Sequence, residues 1–228
     1  MKNLTKDLNI GDLVLYKNNQ LIAFNKPAGI TAQADKTKDK SLLDFAEIYT
    51  KSRIHLIHRI DRPASGLVLF AKTKSALSSL NQQFQERSVD KVYLAVVPNL
   101  PESPSGQLQH FLVKNGRTNK SYVTQAEQAA AKEAILDYKV LGSIDNYHLL
   151  EIKLQTGRHH QIRAQLAALN NPIKGDVKYG AKRSNKDRSI HLHSWKLAFD
   201  HPHSGERVQL QADLPADPVW DAFGLSES

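Results

Sequence analysis

The densest grouping of chemically capable side chains is His58-Arg59-Ile60-Asp61-Arg62, which sets one carboxylate between two guanidinium groups. Pro63, Ser65 and Gly66 interrupt the backbone just after it. Gly66 to Ala71 is then a short apolar run with β-branched and aromatic residues, the pattern of a buried strand. Asp61 is therefore expected at the lip of a rigid sheet, in a loop rich in positive charge. The neighbouring arginines favour the ionised carboxylate. A carboxylate that stays charged suits a nucleophile better than a proton donor at neutral pH. The same residues also fit an Asx-type turn with Arg59 and Arg62 merely solvated.

A second grouping is Thr156-Gly157-Arg158-His159-His160-Gln161-Ile162-Arg163. Gly157 marks a turn from strand to helix, and Arg158 falls at the helix N-terminus, whose free N–H groups favour an anion. His159, Ile162, Arg163 and Leu166 recur at helical spacing, so Arg163 borders the buried stripe and needs a partner. A structural arginine pair tying helix to sheet satisfies the pattern equally well. Tyr93, in Lys91-Val92-Tyr93-Leu94-Ala95, reads by itself as a strand tyrosine in the core with its hydroxyl satisfied at the edge. Histidine supplies a rival chemistry. His191 and His193, with His201, His203, Asp176 and Asp200 nearby in sequence, have spacings that zinc could use in a hydrolase or nuclease. The segment from Lys178 to Arg188 is basic and turn-rich. It is either a solvated loop or a set of phosphate contacts, with Tyr179 available to stack on a base.

These groups need elements to hold them. Residues 13–16 and 21–25 read as a hairpin about Lys17-Asn18-Asn19-Gln20. Ser41 caps a helix through Tyr49, and Thr73 caps one carrying Ala76, Leu77, Leu80 and Phe84. A strand over 91–97 leads to Pro98–Gly106, whose three prolines mark a hinge between two lobes. Strand-like runs follow at 108–113, 121–126, 134–141 and 147–154, with an alanine-rich helix or long turn at 127–133. Asn170-Asn171-Pro172 ends a helix bearing Ile162, Leu166 and Leu169, and strands over 190–199 and 207–212 close the chain. The class is α+β, a mixed and largely antiparallel central sheet flanked by a few helices.

The chain has 228 residues, 40% of them hydrophobic and 24% charged, ample for a real core. Its net charge of +8 points to a polyanionic partner. With no cysteine, disulfides, thiolate catalysis and cysteine metal sites are excluded. No apolar run reaches the length of a membrane span, and the first residues lack the apolar core of a signal peptide. A cytoplasmic location and no membrane partner are expected.

Several motifs then point one way. His58-Arg59-Ile60-Asp61 followed by Ser65-Gly66-Leu67-Val68-Leu69-Phe70-Ala71-Lys72 resembles the signature of the RluA-type pseudouridine synthases. So do, in family order, Asn25-Lys26-Pro27-Ala28-Gly29, Lys91 to Ala95, Gly157 to Arg163, Pro172-Ile173-Lys174-Gly175-Asp176 with Tyr179-Gly180, and Leu192-His193. The match runs over roughly residues 13 to 213, so one catalytic domain, residues 1–228, is expected. The S4-like RNA-binding domain of some members is expected to be absent. Ala64 and Leu136 stand where threonine is common in the family, departures that bear on packing or substrate fit.

The resemblance implies the pseudouridine-synthase catalytic fold with its cleft between two lobes, and the isomerisation of a uridine in rRNA or tRNA. It implies Asp61 as the catalytic carboxylate and Tyr93 beside the uracil ring, stacking or accepting a proton. Arg158 would form an ion pair with Asp61. Arg59 matches the position that fills the space left by a flipped uridine. His58, Arg62, Ile162, Arg163 and Tyr179 are expected to contact the RNA. No cofactor, metal or DNA partner is implied, and a monomer is expected. A catalytically silent RNA-binding module and the histidine-metal hydrolase are the alternatives.

Overall fold

A computed structural model describes residues 8–35, 37 and 39–225. In chain order the elements are β1 (Val14–Lys17), β2 (Leu21–Lys26), α1 (Leu42–Thr50), β3 (His55–Leu56), β4 (Ser65–Ala71) and α2 (Lys74–Gln85). Then come β5 (Asp90–Val97), β6 (Ser105–Asn115), β7 (Lys120–Thr124), β8 (Lys132–Ile144), β9 (Tyr147–Leu154) and α3 (Gln161–Ala168). The series ends with β10 (Leu192–Asp200), β11 (Arg207–Gln211) and the short α4 (Pro218–Asp221). The class is α+β with mostly antiparallel pairing, as expected. The chain divides into two compact units, residues 1–90 with 193–215, and residues 91–192 with 216–228.

In the first unit, Asn18 makes the β1–β2 turn by accepting from the backbone N–H groups of Gln20 and Leu21 at 2.8 and 2.7 Å. β4 is buried at every position, which its run of leucine, valine and phenylalanine requires. It pairs antiparallel with β2 from Ala71 opposite Leu21 to Gly66 opposite Lys26. On its other side it runs parallel to β10, with Ser65 opposite His193 and Gly66 opposite Ser194. Gly66 has φ +109°, and a Cβ there would fall on the Ser194 carbonyl, so only glycine permits this approach. Ser41 and Asp44 close a capping box at the start of α1, and Thr73 caps α2. α2 lays Ala76 and Leu80 against Leu67, Leu69 and Phe199. Each large side chain so buried is worth about 1.5–3 kcal/mol. β3, a two-residue strand on β4, was not anticipated.

In the second unit the strands follow one another in space as β5, β9, β8, β6 and β7, all antiparallel. Residues 125–131 form turns rather than a helix, with Ala130 at φ +65°. The Pro98–Gly106 segment, expected as a hinge between lobes, lies inside this unit. It is tied there by bonds from the Asn99 backbone N–H to Asn171 and from the Asn171 side chain to the Asn99 carbonyl. α3 is buried at every position from Gln161 to Leu166 rather than along one stripe. Its apolar side meets Leu112 and Ala134 through Ala164. Its three polar residues therefore bond to groups inside, although Gln165 Oε1 finds no donor among the described residues.

Candidate active site

Asp61 lies in the first unit, half-buried, between buried Ile60 and the turn that leads into β4. That turn closes where the Ala64 N–H donates to the Asp61 carbonyl at 3.1 Å. The side chain that builds the loop is Lys26, the last residue of β2, which is fully buried. Its Nζ donates to the carbonyls of Ala64, Ile30 and Pro27 at 2.7, 2.8 and 2.9 Å, with that of Arg62 at 3.4 Å. One ammonium thus clasps residues 27–30 to residues 62–64, and the Gly29 N–H adds a bond to the Arg62 carbonyl at 2.8 Å. Burial pushes the Lys26 amine down to about 7, against the Asp61 charge, which raises it. In the sequence this lysine stands within the motif Asn25 to Gly29 with no role of its own. The only local sign of it is a cation two residues past the apolar run 21–24, just before Pro27.

The flanking residues divide. Arg59 is exposed and available to a partner. Arg62, expected to contact RNA, instead reaches back: its Nε donates to the Gly29 carbonyl at 2.8 Å and its other nitrogens to Thr37 and Asp39 at 3.1 and 2.5 Å. His58 is likewise a packing residue in this structure. Its ring stacks on Phe84 at 5.5 Å, and its Nε2 accepts the Leu69 N–H at 3.2 Å. Ala64 is buried, and its carbonyl is the nearest oxygen to Lys26. Behind the loop, Ser65 Oγ lies 2.9 Å from Nδ1 of His193, which is fully buried and whose burial drives its pKa down to about 4.

Tyr93 and Arg158 belong to the second unit. Tyr93 is 8% exposed on β5, opposite Ile152 of β9. Arg158 precedes α3 and is held at both ends: its N–H donates to Gln161 Oε1 at 2.9 Å and its Nε to the Glu133 carbonyl at 2.8 Å. His160 starts α3 in the left-handed region, so Arg158 is set just ahead of the first turn. Ile162 is 4% exposed and packs inside. Arg163, expected to touch RNA, is 3% exposed and grips Asp176 with Nε at 2.6 Å and Nη2 at 2.8 Å. Arg163 is therefore structural, because a buried guanidinium needs a carboxylate, but it ties α3 to the loop after it rather than to the sheet. Tyr179, expected to stack on a base, instead accepts the Ser121 N–H at 2.8 Å and lies 2.9 Å from His160 Nδ1. The Arg163 guanidinium and the Lys120 ammonium lie 4.9 and 5.6 Å from its ring centre. His159 and His160 stack at 3.8 Å.

The histidine-metal alternative finds no support in these positions. His191 precedes β10 and spends Nε2 on Asp217 at 2.9 Å, with its other ring nitrogen 3.0 Å from Asn185. Asp176 is committed to Arg163. Among the described residues, no three of His, Cys, Asp or Glu gather as a metal site, and no helix is long and apolar enough to cross a membrane.

Residues 20–168, from β2 to the end of α3, match the family model described as RNA pseudouridylate synthase. Ribosomal large subunit pseudouridine synthase C of Rickettsia conorii is 36% identical over 90% of this chain and 68% of its own length. Ribosomal large subunit pseudouridine synthase D of Borreliella burgdorferi is 32% identical over 84% of this chain. The chain spans 62% of the length of that second relative. Human RNA pseudouridylate synthase domain containing 4 shares the fold, with a TM-score of 0.76 at 24% identity, covering 95% of this chain and 92% of that one. The stretch matched includes Lys26, Asp61, Tyr93 and Arg158 in its sequence, and the chain belongs to the RNA pseudouridylate synthase family.

Proposed function

We propose that this chain converts a uridine of structured RNA, in rRNA or tRNA, to pseudouridine, with Asp61 as the catalytic carboxylate. The observation that carries the proposal is the family match, which spans the loop that Lys26 builds around Asp61. The ribosomal names of the two bacterial relatives favour an rRNA target. The excess of eight positive charges suits a phosphate backbone.

In this reading a flipped uridine is isomerised without change in composition. Asp61 initiates cleavage of the bond from uracil N1 to the sugar C1′. The freed base turns in the pocket, C5 bonds to C1′, the C5 proton leaves and N1 acquires one. Tyr93 assists removal of that C5 proton, and its near-complete burial keeps water from competing. Arg158, oriented by Glu133 and Gln161, is the ion-pair partner assigned to Asp61 and aims its carboxylate. Arg59 occupies the gap left in the RNA stack. The enzyme works in the cytoplasm as a monomer.

The test is release of tritium from RNA labelled at uridine C5, with rRNA and tRNA offered separately. The wild-type protein should release tritium without added metal. Asp61→Asn should lose more than about a thousandfold, and Arg158→Ala about a hundredfold. Full turnover by Asp61→Asn would sink the assignment.

A further inference from the structure

The basic segment after α3, which the isomerase chemistry does not use, walls a cavity of about 620 Å³ in the second unit. Three loops converge on it: the end of β5, the β8–β9 turn with Asn146 and Tyr147, and residues 170–183. Lys174, Lys182 and Arg183 line it, together with Asn170 and Tyr147. No carboxylate is among the lining residues.

This wall is built rather than merely charged. The Lys174 backbone is pinned on both sides, its N–H to the Val96 carbonyl at 2.9 Å and its carbonyl to the His191 N–H at 3.0 Å. Its Nζ donates to Asn185 Oδ1 at 2.9 Å and lies 5.5 Å from the centre of the Tyr147 ring. Asn185 in turn donates to the Ser189 carbonyl at 3.0 Å, so residues 175–185 form a loop closed at its base. Gly175, at φ +87°, lets Asn185 lie against it; a Cβ there would come within 2.8 Å of that side chain. Lys182 and Arg183 ride on this loop, exposed. Burial lowers the pKa of Lys174, and the charges of Asp217 and Asp187 act against that shift.

Cations for phosphate, a ring for stacking and amides for base edges are the three contacts by which proteins hold unpaired RNA. We propose that this cavity is a second RNA subsite, which holds an unpaired nucleotide of the substrate RNA outside the reacting uridine. Its base lies against Tyr147, and its phosphates lie among Lys174, Lys182 and Arg183. Asn146 and Asn170 face the base edge. The volume falls within the range of sites that enclose small ligands. The inference rests on the reading of the chain as an RNA-modifying protein. It moves the stacking ring from Tyr179, whose hydroxyl is tied to Ser121, to Tyr147.

The experiment is fluorescence anisotropy of a labelled short oligouridylate against the full chain over a salt series, with tritium release measured alongside. Lys182→Ala with Arg183→Ala should weaken binding about tenfold and lessen the slope of log affinity on log salt by about 1.4. Tyr147→Ala should weaken it about tenfold, while Tyr147→Phe, which keeps the ring, should bind as wild type. A control pair of exposed lysines, Lys51→Ala with Lys74→Ala, should change affinity far less. Equal losses in control and cavity variants, unchanged binding in the cavity variants, or no binding by wild type would overturn the subsite. Selective loss of binding in a protein that releases no tritium would keep the subsite and remove the isomerase reading.

Discussion

Lys26 in the first unit and Arg163 in the second are both cations withdrawn from water, and the protein satisfies them by opposite means. Arg163 meets Asp176 across two short charge-assisted bonds, and both partners are almost fully buried. Lys26 donates to backbone carbonyls, from Pro27, Ile30, Arg62 and Ala64, and feels Asp61 through space. A guanidinium paired in this way never titrates in the working range. An ammonium held by dipoles has no full counter-charge in contact, and burial brings it down to about 7. The pair under α3 is therefore fixed scaffold, whereas the clasp under the Asp61 loop has a strength that depends on pH.

The scaffold half of this comparison carries the largest expected effect on stability. Arg163→Ala strands the Asp176 carboxylate in the interior and should cost about 3–5 kcal/mol, read from urea unfolding. Replacing both partners together, Arg163→Met with Asp176→Leu, should recover most of that loss, because no charge is then left unpaired. A single substitution that costs less than about 1 kcal/mol would show that the pair is not what holds α3 to the loop after it.

The clasp should behave differently. Between pH 7 and 10.5 the unfolded chain carries a proton on Lys26 that the folded chain has lost. Stability therefore rises with pH across that window, and it is given up as pH falls from 10.5 through 7. Lys26→Met should flatten this slope and cost about 1–3 kcal/mol near neutrality, since carbonyls lose their donor. The double replacement at Arg163 and Asp176 should leave the slope intact. Urea midpoints from pH 7 to 9.5 for the three proteins check this, and an unchanged slope in Lys26→Met would remove Lys26 as its source.

The contrast also explains what could be read from the sequence. Ser41 and Thr73 announce their helices because a cap acts on residues two or three positions away. β4 is legible because burial on both faces leaves an unbroken apolar run. The position of Asp61 just ahead of that strand follows from the same local signals. Helical spacing puts Arg163 beside the buried stripe, but nothing local shows that Gln161 and Gln165 are buried as well. Their partners, among them Asp176 and the Leu108 and Ala134 carbonyls, lie far along the chain. Lys26 is hidden for a related reason: a cage of carbonyls has no side-chain signature. His58 and Arg62 have the composition of a binding loop, yet Phe84 and the Gly29 carbonyl claim them, and only the fold brings those together.

Arg62 completes the comparison from the outside of the same loop. Its side chain is 39% exposed, and its bond to Asp39 links it to a carboxylate that is itself 54% exposed. Solvent and salt screen such a pair, so it contributes little to global stability. Its Nε bond to Gly29 and its contact with Thr37 act locally, on the segment that leads from the clasp to α1. Arg62→Ala should therefore leave the urea midpoint unchanged within error. The chain from Gly29 to Asp35 should open more often, and limited proteolysis there should run roughly two- to fivefold faster. Lys26→Met should shift the global midpoint instead. If Arg62→Ala were to lower the midpoint as far as Lys26→Met does, the loop would be held from its surface rather than by the buried ammonium, and the distinction between clasp and scaffold would fail.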